Sequence, residues 1–305
     1  MKKKKLKINR INGGLFYNND SLDVLENEKF KAKYKNKIDL IFTSPPFPLI
    51  TAKKYGNEKG DEYIDWFKKF ARPLKTILSK KGSIVIEIGN SWTPKEPTYS
   101  LIELRALMAF KEAGEFSLCQ EFIWYNPAKL PGPAEWVTKY RERVKDSFTK
   151  IWWLSKTPRP YADNKKILTE YSKGMLKLLL KKKYNSGKRA TGHNISAKGF
   201  FKKNEGAIPP NVFEDFDNFL RISNTNNVNQ YREYCLKNNL PVHPARMPNE
   251  LAEFFVRFLT KPKSIVLDPF AGSNTTGYVA SKLKRKWISI EKDIDYINGS
   301  KGWFL

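Results

Sequence analysis

Short apolar runs alternate with helical patterns along the first half of the chain. Residues 38–42 and 83–88 are nearly continuous apolar runs, which are typical of strands buried on both faces. Between them, apolar residues recur every three or four positions over 63–78, which predicts one helical face that Pro73 either kinks or divides. The alternation returns over 265–291. The pattern therefore predicts an α/β protein with a largely parallel sheet.

Two more strand patterns and a change of composition complete the predicted organisation. Residues 116–125 and 149–156 flank a proline-rich loop and predict an antiparallel pair at the edge of the sheet. From 158 to 240 the chain is rich in Lys, Asn and Gly and has few strand signals. We therefore predict an inserted module at 158–240 between two α/β regions, 1–157 and 241–305.

The composition adds a strong positive charge. The 305 residues include 56 Lys and Arg but 31 Asp and Glu, which gives a net charge of +25 at pH 7. Such a charge typically indicates a polyanionic partner or an anionic membrane surface, although an AT-rich genome also enriches lysine. No apolar run approaches the ~18 residues of a membrane span, so we expect a cytoplasmic protein. The two isolated cysteines predict neither a disulfide framework nor a metal site.

A glycine-bearing turn follows the predicted strand at 265–268. The segment from Asp268 to Gly277 places Ser, Asn and Thr at a predicted helix start, where backbone amides favour carboxylates and phosphates. About twenty residues later, Glu291 ends the next strand, where a carboxylate suits a ribose diol. The alternative is an ordinary turn between strand and helix with a solvated Glu291. Spacing alone does not separate the two interpretations.

A proline tetrapeptide, Ser44-Pro45-Pro46-Phe47, follows the first strand. Prolines have no amide hydrogen, so the Ser44 hydroxyl and the carbonyl oxygens remain as a rigid row of acceptors that suits an NH₂ group. Phe47 adds a flat apolar face on which a base can stack. The alternative is a proline-rich loop that caps a strand, with Phe47 in the core.

Together, the two motifs resemble motif IV and motif I of the DNA amino-methyltransferases that use S-adenosylmethionine. Motif IV near the amino end and motif I near the carboxyl end is the circularly permuted order of the β class. Ser44, in place of Asp, is similar to the cytosine-N4 subfamily of restriction-modification systems. Further matches are the segments 124–130, 186–193, 208–211 and 243–248, so the resemblance covers nearly the whole chain.

The resemblance implies a Rossmann-like, seven-stranded methyltransferase sheet with the target-recognition module at 158–240. The implied catalytic residues are Ser44, Pro45, Pro46 and Phe47. The implied cofactor-binding residues are Asp20, His243, Asp268, Phe270, Gly272, Ser273, Asn274, Thr275 and Glu291. Within this set, Asp20 would bind the adenine amino group and Glu291 the ribose. Asn274 stands where many relatives have a second glycine, and asparagine tolerates a positive φ better than other non-glycine residues.

The resemblance implies duplex DNA as the partner. Because the target cytosine is paired inside the duplex, it must be flipped out, and contacts with the DNA backbone must offset the energy that flipping requires. The candidates for DNA contact are the basic residues of the module: Lys188, Arg189, His193, Lys198, Lys202 and Lys203. We expect phosphate contact from most of them and base contact, if any, from His193. A restriction-modification system in a prokaryotic cell also implies a cognate endonuclease that acts separately on the same site.

The chemistry of the target amine assigns roles to the tetrapeptide. The cytosine N4 lone pair is delocalised into the ring, and two acceptors, the Ser44 hydroxyl and the Pro45 carbonyl, would bind both amino hydrogens and turn this lone pair toward the methyl group. A serine hydroxyl is too weakly basic to remove a proton first, so we expect methyl transfer before proton loss. Glu87, at the end of the adjacent strand, is a candidate helper, but a solvated or salt-bridged carboxylate is the favoured interpretation.

Two alternative functions stay open at this point. Adenine-N6 methylation also uses an exocyclic amine, and a basic nucleic-acid-binding protein without catalysis would need neither Ser44 nor Glu291. Cytosine-C5 methylation is disfavoured because it needs a thiolate, expected in a Pro-Cys pair, whereas Cys119 and Cys235 follow Leu and Tyr.

Overall fold

The computed structural model describes residues 5–48, 60–127, 129–181, 186–196, 203–213 and 230–305. Its strands, in chain order, are β1 (Ile8–Ile11), β2 (Gly14–Asn18), β3 (Ile38–Thr43), β4 (Leu78–Ile88), β5 (Ser117–Tyr125), β6 (Phe148–Ser155), β7 (Gly187–Lys188), β8 (Asn194–Ile195), β9 (Val212–Phe213), β10 (Ile265–Asp268) and β11 (Lys286–Glu291).

Helices cover the sheet. They are α1 (Ser21–Leu25), α2 (Glu28–Tyr34), α3 (Gly60–Lys68), α4 (Ala71–Ile77), α5 (Ile102–Gly114), α6 (Lys173–Lys181), α7 (Gln230–Lys237), α8 (Asn249–Leu259), α9 (Thr275–Lys282) and α10 (Ile294–Gly299). Shorter turns are a π-helical turn at Glu135–Lys139 and 3₁₀ turns at Asn164–Ile167 and Ser300–Phe304. Among the helices of these ranges, none combines the length and the apolar character that a membrane span requires.

Within the described ranges, nine strands form one sheet in the order β1, β2, β11, β10, β3, β4, β6, β5, β9. Strands β2, β11, β10, β3 and β4 run parallel, and β6 is antiparallel to both β4 and β5. In this order across the sheet, the seven strands from β2 to β5 correspond to the predicted seven-stranded sheet, and β6 and β5 are its antiparallel pair. The sequence did not predict β1 and the two-residue β9, which add one strand at each edge.

Pro73 divides the predicted helix at 63–78 into two. It lies in the first turn of α4, where the missing amide breaks no intrahelical hydrogen bond. The predicted start of the following strand at residue 83 is wrong, because β4 begins at Leu78, directly after α4. Leu78 continues the helical spacing of apolar residues, yet it pairs with Ile38 in the sheet, and a register shift follows before Leu40. Tertiary pairing therefore overrides the local pattern here.

Apolar layers cover both faces of the sheet. Leu40 and Phe42 of β3 belong to one layer, in which α8 places Phe255 with its ring centroid 5.3 Å from that of Phe42. Ile41, between them, belongs to the opposite layer, together with Phe67 of α3. A strand sends successive side chains to opposite faces. Burial on both sides therefore explains why β3 is continuously apolar.

Within the described residues, the region 158–240 contacts the rest of the protein in several places, including the packing of the turn at Asn164–Ile167 on α8. The short strand β9 joins the main sheet by pairing with β5. Helix α7 packs on the last turn of the chain, where the Tyr231 and Trp303 rings stack with centroids 5.3 Å apart. The Trp303 indole N–H donates to the Ser273 carbonyl over 2.7 Å, so this contact supports the glycine-bearing turn. The division into three regions stays a prediction.

Candidate active site

A cavity of about 700 Å³ lies at the edge of the sheet where the parallel strands end. Its volume is typical of small-ligand sites, which span ~300–1,000 Å³. Because β6 runs opposite to β4, the loop between β5 and β6 returns to this same edge. All predicted catalytic and cofactor-binding residues except Asn274 line the cavity: Asp20, Ser44, Pro45, Pro46, Phe47, His243, Asp268, Phe270, Gly272, Ser273, Thr275 and Glu291.

Asp268 fastens three elements together at the base of the cavity. The Thr43 hydroxyl at the end of β3 donates to one carboxylate oxygen over 2.7 Å, and the Thr276 hydroxyl of α9 donates to the other over 2.8 Å. The Phe270 amide donates to the first oxygen as well, over 3.0 Å. Burial raises the pKa of Asp268 to about 6, against these three donors. The side chain therefore shapes the turn between β10 and α9 from below.

Asn274 supports the turn from behind instead of facing the cavity. Its backbone is left-handed, with φ at 66°, a conformation that asparagine tolerates. Its side chain is buried and its Oδ1 accepts a hydrogen bond from the Ser289 hydroxyl over 2.6 Å. A Cβ at Gly277 would lie 2.2 Å from Asn274 Oδ1, so glycine is required there. Asparagine at this position thus adopts the left-handed conformation that glycine favours.

His243 packs directly on the same turn. A Cβ at Gly272 would lie 2.8 Å from His243 Nε2, so the turn and the imidazole ring are in close contact. Burial lowers the pKa of His243 to about 4, so the ring is neutral at pH 7. Its Nδ1–H donates to the Ala245 carbonyl over 2.6 Å, which leaves Nε2 as an acceptor. Helix α8 begins at Asn249, and residues 243–247 before it form one cavity wall.

Glu291 is held by the backbone and not merely solvated. The Gly272 amide donates to Oε2 and the Asp293 amide donates to Oε1, each over 2.9 Å. Burial raises the pKa of Glu291. The Lys292 backbone contributes a third hydrogen bond to this carboxylate, which has about four lone-pair sites, so one acceptor site remains for a ligand in the cavity. Parallel pairing of Ser289 with Asp268 brings this strand end beside the turn.

Ser44 and Glu87 are neighbours across two strands. Thr43 pairs with Ile86, so the residues that follow them, Ser44 and Glu87, lie side by side at the cavity. The Ser44 hydroxyl donates a hydrogen bond to the Glu87 carboxylate, which is 6% exposed. Burial raises the pKa of Glu87 to about 7, against the opposite effects of Ser44 and the nearby Lys129 charge. The interpretation of Glu87 as a solvated or salt-bridged strand end is therefore wrong.

Phe47 is a half-buried wall of the same cavity. Its ring lies against the backbone of Gly89, where a Cβ would come within 2.7 Å of the ring. A larger residue at position 89 would therefore displace the ring. The contact fixes the ring and leaves it beside Ser44 and Glu87 in the cavity wall.

A partly buried ion pair beside Glu87 is absent from the residues that the sequence predicted for the site. Lys129 Nζ lies 3.0 Å from Asp146 Oδ2 and also donates to the Phe148 carbonyl over 2.9 Å. The Asn90 amide donates to both Asp146 oxygens, over 3.1 and 3.2 Å. The predicted antiparallel pair could have pointed to these residues, since the loop that joins such a pair returns to the edge where the parallel strands end. Other lining residues without a predicted role are Trp66, Phe70, Trp124, Asn126, Thr149, Arg246 and Tyr296.

The predicted DNA-contacting residues fall into three groups. Lys188, Arg189 and His193 lie on the hairpin of β7 and β8, where the Arg189 amide donates to the His193 carbonyl over 2.8 Å. Lys203 is exposed on a separate segment. Lys198 and Lys202 lie outside the described residues. The structure thus brings three of the candidates together.

Comparison with known proteins decides the family. The chain matches the N6/N4 DNA methylase family over residues 38–302. It belongs to the DNA methylase family. Type II methyltransferase M.PvuII of Proteus hauseri is 42% identical over 294 residues, 96% of this chain and 84% of that protein. DNA adenine methyltransferase YhdJ of Escherichia coli (strain K12) is 27% identical over 266 residues, 85% of this chain and 74% of that protein.

Solved structures of DNA methylases share the fold. The structure of PvuII DNA methyltransferase (cytosine-N4-specific) matches with a TM-score of 0.73 and 37% identity, over 96% of this chain and 86% of that one. A complex of M1.HpyAVI with SAM matches with a TM-score of 0.52 and 18% identity, over 95% of this chain and 98% of that one, which supports the fold alone. The prediction of a permuted, Rossmann-like methyltransferase fold is confirmed.

Proposed function

We propose that this DNA methylase transfers a methyl group from S-adenosylmethionine to the N4 amine of a cytosine flipped out of duplex DNA. The observation that carries the proposal is the Ser44–Glu87 pair, which lies in one cavity with the turn between β10 and α9. A proline tetrapeptide that begins with serine suits the cytosine-N4 reaction. The similar PvuII DNA methyltransferase is cytosine-N4-specific.

The half of the cavity around Glu291 fits S-adenosylmethionine. Glu291 retains an acceptor site for a ribose hydroxyl, and the exposed Asp20 carboxylate is anchored by the Leu22 amide over 2.9 Å. Phe270 offers an apolar wall, supported by Trp66 and Phe70 with ring centroids 5.6 and 5.1 Å away. The neutral His243 adds no positive charge that would repel a sulfonium. S-adenosylmethionine supplies an electrophilic methyl group on that sulfonium.

Ser44 and Glu87 prepare the amine. Because Glu87 accepts the Ser44 hydroxyl hydrogen, the lone pairs of Ser44 Oγ are free to accept a hydrogen from the cytosine amine. The Pro45 carbonyl is the second acceptor. With both hydrogens held, the nitrogen lone pair leaves conjugation with the ring and becomes nucleophilic.

Glu87 also receives the proton that the product must lose. As the N–CH₃ bond forms and the S–CH₃ bond breaks, the amine nitrogen becomes positively charged and acidic. It gives a proton to Ser44 Oγ while Ser44 gives its own to Glu87, so the proton ends on a carboxylate whose pKa is about 7. That value lets Glu87 accept the proton and return it to water near neutral pH.

We also propose how the protein contacts DNA and where it acts. Phe47 stacks on the flipped base, and the basic residues Lys188, Arg189, His193, Lys198, Lys202 and Lys203 of the module at 158–240 contact DNA, mostly at phosphates. The enzyme acts in a prokaryotic cytoplasm, within a restriction-modification system. A separate endonuclease recognises the same DNA site.

The product of the reaction tests the function. Plasmid DNA from a host that expresses this protein is digested to nucleosides and weighed by mass spectrometry. We expect N4-methylcytosine, because serine replaces aspartate before the two prolines. N6-methyladenine alone would assign the enzyme to adenine. No methylated base, from protein shown to be folded by circular dichroism, would favour a binding protein without catalysis.

Replacing Glu291 by alanine separates cofactor binding from DNA binding. We expect affinity for S-adenosylmethionine to fall by about 10- to 100-fold, the size of losing a hydrogen bond to a charged group. Affinity for DNA should stay near that of the parent, as measured by gel shift beside calorimetry with the cofactor. Glu250→Ala, an exposed change on α8, is the control. Equal loss of both affinities would make Glu291 purely structural.

A further inference from the structure

The loop between β5 and β6, residues 126–147, is described except for residue 128, and its first part reaches the cavity. Asn126 and Lys129 line the cavity. Leu130 follows Lys129 directly, and consecutive Cα atoms are about 3.8 Å apart. Leu130 is nevertheless 84% exposed. An apolar side chain is thus exposed to solvent directly beside a residue that lines the cavity.

Exposed apolar side chains are concentrated on this loop. Val144 is 89% and Tyr140 is 54% exposed, beside Leu130 at 84%. A single exposed leucine needs no explanation, but a group of apolar side chains on one loop at a functional cavity indicates a contact surface.

The loop is held in place by hydrogen bonds. The Lys129 amide donates to the Asn126 carbonyl over 3.1 Å, and the Asp146 amide donates to the Gly132 carbonyl over 3.0 Å. Its outer part is tied to the segment after β4, because Arg143 Nε donates to the Pro97 carbonyl over 3.2 Å. Leu130 therefore projects from a supported backbone, so less conformational entropy is lost when it binds a partner.

The charge of the loop indicates which partner it contacts. From Lys129 to Lys145 the chain has five basic residues and two acidic ones. Lys139 is paired with Glu135 over 3.2 Å, whereas Arg141 extends the exposed basic surface. Apolar side chains surrounded by positive charge fit duplex DNA, whose phosphates meet the cations and whose stacked bases meet the apolar groups.

We propose that the loop at 126–147 is a second DNA-contacting element and that Leu130 fills the space left in the duplex by the flipped cytosine. Arg141 binds a phosphate of the same stretch of backbone. The proposal rests on the proposed function, since the loop meets the vacated space only when the target base is in the cavity. Flipping requires a few kcal/mol of unstacking, and an apolar side chain in the gap restores part of the lost contact.

Leu130→Ala tests the proposal on a duplex whose sequence is a methylated site mapped in the plasmid experiment. We expect the single-turnover methylation rate to fall by about 10- to 100-fold, the range expected when a leucine side chain loses its burial. A 2-aminopurine in place of the target cytosine should fluoresce less than with the parent. A mismatched target, which flips more easily, should restore the rate. Leu130→Met keeps an apolar side chain and should stay close to the parent.

Met108→Ala is the control, because Met108 on α5 is also an exposed apolar side chain, at 59%, and does not line the cavity. It should methylate both duplexes at the parent rate. Arg141→Ala should weaken DNA binding and reduce the salt dependence of the dissociation constant by about one phosphate contact. The proposal for Leu130 is overturned if Leu130→Ala keeps the parent rate, or if a mismatch does not restore a lost rate. Absence of methylation by the unaltered protein would instead refute the proposed function.

Discussion

Ser44→Ala is expected to lower the single-turnover rate of DNA methylation by about 10²–10³, the scale of removing one well-placed hydrogen bond in the transition state. The variant loses the link to Glu87 and, in the proposed mechanism, the acceptor for one hydrogen of the cytosine amine. Affinity for DNA should barely change, because most binding energy comes from phosphate contacts spread over the basic surface. The dissociation constant should keep the steep salt dependence of the parent.

A second serine provides the control for this experiment. Ser117 begins β5, at the end of the strands that faces away from the cavity. Ser117→Ala should therefore methylate at the parent rate. If folded Ser44→Ala also methylates at the parent rate, the tetrapeptide is not the catalytic motif. If it loses DNA affinity and rate in parallel, Ser44 acts in binding.

Glu87→Gln should reduce the methylation rate by about 10²–10⁴, the usual contribution of a group that receives a proton in the reaction. Glutamine keeps the size of the side chain but cannot take the proton that leaves through Ser44. The parent rate should rise with pH through about 7 as Glu87 ionises, because burial raises its pKa to about 7. The variant should lack this rise. Single-turnover rates measured across this pH range test both expectations.

Glu87 should also make the stability of the parent protein depend on pH, and stability should fall over the pH range in which the methylation rate rises. The pKa of Glu87 is raised in the folded protein from 4.5 to about 7, so the native state binds more protons than the unfolded state between these values. Stability is therefore present below the unfolded pKa and is lost as the pH rises through the folded pKa, by an amount on the order of 3 kcal/mol. Glu87→Gln should lose less stability over this range, as measured by urea unfolding.

Glu103 provides a matched control for Glu87. It is also buried, and it accepts a hydrogen bond from the Ser91 hydroxyl over 3.0 Å, but it does not line the cavity. Glu103→Gln should keep the parent rate and its pH profile. A parent-like rate and pH profile in Glu87→Gln would remove Glu87 from the mechanism, and the proton would then leave directly to water.

The fold was predictable where residue type and spacing along the chain carry the information. The apolar run of β3 matches a strand covered on both faces, and the two patterns at 116–125 and 149–156 predicted the antiparallel pair of β5 and β6. The prediction of β4 was wrong by five residues, because Leu78 fits a helical face and a strand equally well. Pairing with Ile38, forty positions earlier, decides between them.

The sequence by itself determined the two motifs, their permuted order and their place at strand ends, since all of these depend on short segments. Only the tertiary structure decided the environment of the charged groups. Asp268 is bonded by Thr43, 225 positions away, and Glu87 is buried beside Ser44 because β3 and β4 pair in one register. Burial and partners set the pKa of a carboxylate, and both come from strands that are distant along the chain. For this reason the sequence predicted where Glu87 lies in its strand but not that it is buried, bonded to Ser44 and able to exchange a proton near pH 7.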